Sequence, residues 1–216
     1  MISAGDLDHY YRKEDPWSVK TTSIDNSIRD KIFYDLTAEY AHNKAMIELG
    51  CGEGVHTHNV FAGLCQKVLA VDISKVAINR AEKKPLDNVT YKVDNFLDFA
   101  IPKEYDVIFA LECLYYLNKE EQDTFFKKLK REATGKLLIM SGPITGKSQY
   151  REYFTHSSIL KLCKTKNFTL KDYRNISVKP ESYFVRILKK LRLLHEKNIQ
   201  YLPQSFIYQR VYIIEI

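Results

Sequence analysis

Three glycines at alternate positions, Gly50, Gly52 and Gly54, follow an apolar run in the stretch IELGCGEG, in a chain holding 8 glycines among 216 residues. A loop without β-carbons turns tightly and admits a bulky group against its backbone. Alone, the pattern suits a dinucleotide site, another nucleoside site or a plain tight turn. Two carboxylates narrow the choice. Asp72 closes VLAVD, 18 residues beyond Gly54, where a pair of acceptor oxygens suits both hydroxyls of a ribose. Asp94 closes YKVD, where it could receive an adenine amino group while Ile73 or Phe96 covers a ring face. Either acid alone reads equally well as a turn residue; both in register with the glycines point to a nucleoside.

A second set gathers further along. Glu112 stands among apolar residues in ALECLYY, where an unpaired carboxylate would be costly, so it needs a partner. It either meets a ligand or makes a buried structural hydrogen bond to the amino-terminal segment. Tyr115 and Tyr116 are its neighbours and are candidate proton acceptors with it. His156, in YREYFTHSS, is either a substrate-side base, with an ordinary pKa of about 6.5, or simply the start of a helix at Ser157. His56 could touch a ligand carboxylate, while His58 reads as helix surface. No acid or cysteine cluster with metal-ligand spacing surrounds them, and no metal is expected. Tyr10, Tyr11 and Trp17, in HYYRKEDPW, offer flat apolar faces with polar handles. They would close over a site or merely clasp the amino terminus.

The elements that must position these residues are legible in the pattern. AMIEL, VLAVD, NVTYKVD, YDVIFAL and GKLLIMS read as strands, and near-continuous apolar runs mark strands buried on both faces. Helical spacing falls between them, from about Val55 to Cys65, in SKVAINRAEKK with Ser74 as N-cap, and in KEEQDTFFKKLKREA. This alternation predicts an open α/β sheet with right-handed crossovers. Ligands in such sheets sit beyond the carboxyl ends of the strands. Upstream, SIRDKIFYDLTAEYAHN predicts a helix. Downstream come the turn-rich GPITGK, a helix near Ser157–Lys166, the strand-like FTLKDYR, a basic helix near Tyr183–Glu196 and a final strand, FIYQRVYIIEI. The expectation is one domain over 1–216: a helical lid over 1–44, a core over 45–143, and substrate-side helices and final strands over 144–216.

Composition bounds the partners. With 45% apolar and 28% charged residues the chain reads as globular,. Its apolar runs are too short to span a bilayer, and charges interrupt the amino terminus where a signal peptide would need apolar residues. Four separated cysteines suggest buried free thiols, so the cytoplasm is the expected compartment. The net charge of +6 is scattered over runs such as KKLKR and ILKKLRLLHEK. Mixed runs of this kind read as solvated helix faces, so a nucleic-acid partner is not expected.

ELGCGEG, AVDIS, VDNFLDF, YDVIFALECLYYL and GKLLIMSGP, over residues 46–143, resemble the successive motifs of class I S-adenosylmethionine-dependent methyltransferases. The resemblance implies a Rossmann-like fold: a mostly parallel seven-stranded sheet, helices on both faces and an antiparallel last strand. It implies S-adenosylmethionine as cofactor and S-adenosylhomocysteine as product. Gly50 and Gly52 would line the methionine part, with Glu48, Cys51 and His56 beside them. Asp72 would bind the ribose and Asp94 the adenine, flanked by Ile73, Asn95 and Phe96. The segment Ala110–Tyr115, with Leu111 and Glu112, would face cofactor and substrate. The flanks are similar to the nodulation NodS-like branch of small-molecule methyltransferases, whose DPW segment is part of a lid; Tyr11 and Trp17 would then touch the cofactor. That branch often has Ser-Glu-Val-Leu-Tyr-Tyr where this chain has Leu111–Tyr116. The implied reaction is methylation of an O or N atom of a small polar acceptor (sugar, amine or acid), with Tyr115, Glu112 and His156 as catalytic candidates. An RNA or protein methyltransferase is the alternative, but ALECLYY lacks the NPPY or DPPY lettering of enzymes acting on planar amines. A non-catalytic binding protein is the other.

Overall fold

The apolar runs become the strands of one sheet. The structure, a computed structural model, describes residues 4–20, 23–146, 148 and 151–216. Residues 1–3, Thr21, Thr22, Lys147, Gln149 and Tyr150, which fall in stretches read above, lie outside the described residues. The strands are β1 (Ala45–Leu49), β2 (Lys67–Asp72), β3 (Val89–Val93), β4 (Val107–Leu111), β5 (Leu137–Pro143), β6 (Thr169–Val178) and β7 (Ile207–Glu215). Their order is β3-β2-β1-β4-β5-β7-β6. β1 to β5 pair in parallel, and β7 runs antiparallel to both β5 and β6. Every residue of β1 and β4 is buried, as a central parallel strand requires,. β3 is partly exposed because it forms the sheet edge. The order in which strands are added reverses between the parallel neighbours β1 and β4, which opens a crevice at their carboxyl ends,.

The helices are set by capping and by apolar stripes. α1 is Ala4–Tyr10, and α2 (Ile24–Tyr40) opens on Ser23, whose hydroxyl accepts from Asn26 N. Ile28, Ile32, Phe33 and Leu36 of α2 recur at helical spacing and are buried,. α4 (Lys75–Ala81) is capped by Ser74 as expected, and α5 (Lys119–Glu132) by a reciprocal Asn118–Glu121 box,. Phe125, Phe126 and Leu129 carry α5 into the core. The helix expected after the glycines widens to a π turn over Thr57–Phe61 before α3 (Ala62–Leu64). α6 is His156–Lys166, capped by Thr155.

α7 spans Tyr183–Lys190 and is shorter than the basic helix expected to reach Glu196. It stops in a Schellman turn: Leu193 N donates to Leu188 O at 2.9 Å and Arg192 N to Lys189 O at 3.1 Å,. Arg192 takes the left-handed position at φ 56°. Because arginine rather than glycine occupies it, the sequence carries no stop signal there. Cys51, Cys65, Cys113 and Cys163 are all free and buried. Among the described residues, no helix is long and apolar enough to cross a membrane.

Candidate active site

A cavity of about 490 Å³ opens at the crevice, lined on one side by Gly50–Glu53, Asp72 and Ile73. Its size is that of a small-molecule site. Asp72 is buried at the tip of β2, and both its oxygens accept backbone amides: Oδ1 from Ser74 N and Oδ2 from Gly52 N, each at 2.8 Å. Burial raises its pKa, and the Ser74 and Gly52 amides oppose the rise. Each oxygen has two acceptor sites and has given one to an amide, so a vicinal diol still finds a free pair. The donor set therefore fits a ribose. Ile73, Asn95, Phe96, Leu97 and Leu117 line the cavity beyond it and offer apolar cover for a base.

The glycines answer to the protein's own side chains. A β-carbon on Gly50, at φ 72°, would lie 2.6 Å from Cys113 Cβ, and one on Gly52, at φ 54°, 2.6 Å from Tyr11 Oη. Tyr11 is 7% exposed and lies over the loop, and its hydroxyl accepts from Trp17 Nε1 at 3.3 Å. Both aromatics line the cavity. The amino-terminal segment is held there by Glu53, whose side chain is 5% exposed. Glu53 pairs with Arg80 at 2.6 Å and Lys20 at 3.0 Å, and accepts from Asp15 N at 3.3 Å. Burial alone would raise its carboxyl, but the Lys20 and Arg80 contacts outweigh it and hold the pKa low. Arg80 also donates to Lys13 O at 3.1 Å.

The far wall is built after β4. Glu112 sits at φ 55°, in the left-handed region that a non-glycine residue adopts only at a cost,. Its amide donates to Ser141 Oγ at 3.1 Å, and its Oε1 accepts from Gln209 Nε2 at 2.9 Å. Its partner is thus β7, rather than the amino-terminal segment. Burial raises the Glu112 carboxyl; Arg29 partly opposes this. Tyr115 packs on Gly142, where a β-carbon would stand 3.0 Å from its ring. Its ring lies 4.8 Å from that of Tyr116, which lies 6.1 Å from Trp17. Burial raises both phenols, most strongly Tyr115, so both stay protonated at neutral pH. The Arg151 guanidinium sits over these rings, 4.8 Å from Tyr116 and 5.6 Å from Tyr115. His56 also lines the cavity; burial and the nearby Arg29 lower its pKa to about 3. Its Nδ1 lies 3.9 Å from Asp30, but a neutral ring at that distance forms no ion pair.

Three expected site residues fall outside the cavity lining. Glu48 is buried in β1, where Thr57 Oγ1 donates to it. Asp94 pairs with Lys92 at 2.7 Å, leaving Asn95 and Phe96 to form the wall. Residues two apart share a side of extended chain, which accounts for that pairing. His156 begins α6 and packs between Tyr173 and Tyr212, at centroid distances of 4.8 and 5.8 Å, against β6 and β7. Burial and Arg210 lower its pKa, and its Nδ1 is buried without a partner. Tyr115 and Glu112 do line the cavity, with Leu111 and Cys51. His58 meets the Tyr91 hydroxyl at 3.0 Å on the outer side of the loop. Among the described residues, no group of three or more His, Cys, Asp or Glu side chains could hold a metal ion.

A protein-family model described as a methyltransferase domain matches residues 46–133. The chain is 31% identical over 110 residues to the methyltransferase-type protein 235L of Invertebrate iridescent virus 6, covering 48% of this chain and 40% of that one. It is 30% identical over 81 residues to the cypemycin N-terminal methyltransferase of a Streptomyces species, covering 37% of this chain and 33% of the relative. The chain thus spans two fifths or less of these relatives. Among solved structures, the N-methyltransferase NodS of Bradyrhizobium japonicum, in complex with S-adenosylhomocysteine, superimposes with a TM-score of 0.72 at 16% identity. That likeness covers 100% of this chain and 99% of NodS, and it shows a shared Rossmann-like fold.

Several residues of the site lie outside the methyltransferase-domain match or carried no sequence signal. Arg29, on α2, and Arg151 both line the cavity from outside the matched stretch. Glu53 lies inside the glycine motif itself. A charged residue between glycines was the available clue to it, and its cationic partners could not be read without the fold.

Proposed function

We propose that the chain transfers a methyl group from S-adenosylmethionine to an oxygen or nitrogen of a small polar acceptor. The observation that carries this reading is Asp72. It is a buried carboxylate at the tip of β2, fixed by the Gly52 and Ser74 amides beside a glycine loop in the β1–β4 crevice. The bound S-adenosylhomocysteine of NodS supports the same cofactor class, and four buried free thiols suit a reducing compartment such as the cytoplasm,.

S-adenosylmethionine, when bound, supplies an electrophilic methyl group on a positively charged sulfur. The residues of the chain position and enclose. Asp72 and the Gly50–Gly52 backbone hold the nucleoside side. Tyr115, Tyr116 and Trp17 wall the acceptor side, so that an acceptor atom can be held about 3–3.5 Å from the reacting carbon. Tyr11 and Trp17 close the cavity from the amino terminus and keep water out. Glu112 has a raised pKa, and so takes a proton more readily than an ordinary carboxylate, as a hydroxyl or ammonium acceptor would need,. The phenols of Tyr115 and Tyr116 stay protonated and act as hydrogen-bond donors.

Calorimetric titration with S-adenosylhomocysteine tests the cofactor. Asp72→Ala should lose on the order of 1–3 kcal/mol of binding while staying folded; equal affinities would move the ribose site elsewhere. Labelled methyl transfer to a metabolite library, beside bulk RNA and protein, tests the acceptor. Strong labelling of a macromolecule, insensitive to Tyr115→Phe and Tyr116→Phe, would overturn the small-acceptor reading.

A further inference from the structure

Resting on that reading, we infer that the acceptor carries an acidic group, a carboxylate or a phosphate, and that Arg151 is the residue that binds it. Two arginines line the cavity, and they differ. Arg29 lies against its neighbour Asp30 at 3.2 Å. Arg151 has no carboxylate within ion-pair distance among the described residues; the titratable groups that face it are the phenols of Tyr115, Tyr116, Tyr153 and Tyr208, and it gives one hydrogen bond to Tyr153.

The acids of the same cavity are engaged elsewhere. Asp15 accepts from Val19 N at 2.7 Å and Lys20 N at 3.0 Å. Glu53 holds Arg80 and Lys20, and Asp72 holds two amides. Glu121 accepts from Asn118 N at 2.9 Å, and Glu112 takes Gln209. Each of these acids therefore has partners of its own, although Glu121 keeps its Oε1 unpartnered, and none of them forms an ion pair with Arg151.

Arg151 is also held ready. The amide of Glu152 donates to Tyr115 O at 2.9 Å, and Gln122 Nε2 donates to Glu152 O at 2.9 Å, which pins the backbone beside it. Its guanidinium rests over the Tyr115 and Tyr116 rings. Stacking of this kind orients the group by its face and leaves N–H donors on its edge, the geometry that a carboxylate or phosphate fork engages. A neutral acceptor closed in beside it would leave that charge desolvated and unmatched.

Trp17 is the single tryptophan and lines the same cavity, 6.1 Å from Tyr116, so its fluorescence reports occupancy. The protein saturated with S-adenosylhomocysteine is titrated with inorganic phosphate and, separately, with acetate, at constant ionic strength set by chloride. A saturable change with at least one anion is expected. It should weaken tenfold or more in Arg151→Met and recover in part in Arg151→Lys, with S-adenosylhomocysteine affinity within twofold of wild type in both. No saturation, or equal saturation in wild type and Arg151→Met, would overturn the inference. Labelled transfer to glucuronate and to glucose gives a second reading: preference for the neutral sugar overturns it too. Wild-type protein that fails to bind S-adenosylhomocysteine would instead sink the methyltransferase reading, and the anion titration of the protein alone would still decide Arg151.

Discussion

Asp8 Oδ1 accepts a hydrogen bond from the Ser74 hydroxyl at 2.5 Å and lies 3.3 Å from the Val76 amide. Ser74 thereby joins three structures: it caps α4 through Ala77 N, it donates its own amide to Asp72, and it anchors α1 of the amino-terminal segment. Asp8 itself does not line the cavity, so its removal tests the hold on the amino-terminal segment, although its charge also acts on Asp72. Losing this anchor should cost the docked amino-terminal segment about 1 kcal/mol or slightly more. Asp8→Ala should be cut by trypsin at Arg12 and Lys13 about five to ten times faster than wild type, and S-adenosylhomocysteine should slow the cutting. Unchanged cleavage would assign the hold on the amino-terminal segment to Glu53 and Arg80 alone.

The parts of the site readable from sequence are those fixed by local geometry. Gly50, Gly52 and Asp72 follow from strand ends and a turn, and the five core strands follow from their apolar runs. Contacts between distant segments left no such trace. Arg80 meets Glu53 across 27 residues, and Arg151 meets Tyr116 only once the segment after β5 has folded back. His156 had two readings, base or helix start, and only the packing of α6 on β6 and β7 chooses between them. Asp94 lies one residue past the end of β3 rather than within it, and a lysine two positions back takes its carboxylate.

Arg192 offers a test of backbone strain alone. It holds the left-handed position after α7 at φ 56° and is exposed. Glycine adopts that conformation without steric penalty, although it also gains entropy in the unfolded chain. Arg192→Gly should raise stability by roughly 0.5–1 kcal/mol, read as a later urea midpoint at unchanged slope. An earlier midpoint would mean that the arginine side chain makes contacts that matter more than the strain.

Glu48 should make stability fall with rising pH. Burial raises its pKa from 4.5 to about 8 in the folded protein, with the Thr57 hydroxyl opposing. The folded state therefore binds more protons than the unfolded state across that window. The sign follows: stability is full below about pH 4.5, declines as pH rises and levels off above about 8,. The slope from this one group is on the order of 1 kcal/mol per pH unit. Glu48→Gln keeps an acceptor for Thr57 and removes the charge, so its profile should be flatter and should cross above wild type by pH 8. Urea midpoints at pH 5, 6, 7 and 8 decide it, and parallel profiles would show that Glu48 remains ionised when buried.

Gly50 and Gly135 separate two costs of adding a β-carbon. Both have positive φ, 72° and 81°. A β-carbon at Gly135 meets nothing within 4 Å, whereas at Gly50 it falls 2.6 Å from Cys113 Cβ and 3.2 Å from its sulfur. Cys113 cannot easily withdraw, because it is buried and its thiol donates to Leu49 O at 3.2 Å. Gly135→Ala should therefore cost only the left-handed backbone penalty, about 1–2 kcal/mol. Gly50→Ala should add an overpacking cost of about 1–3 kcal/mol to that, and should displace the loop whose Gly52 amide reaches Asp72. Urea unfolding measures the stability difference, and titration with S-adenosylhomocysteine measures the loop. Equal losses of stability in the two variants would mean that the loop yields without strain, and retained affinity in Gly50→Ala would show that Cys113 moves instead. The expected pattern is a mild, binding-neutral Gly135→Ala beside a Gly50→Ala that loses both stability and affinity.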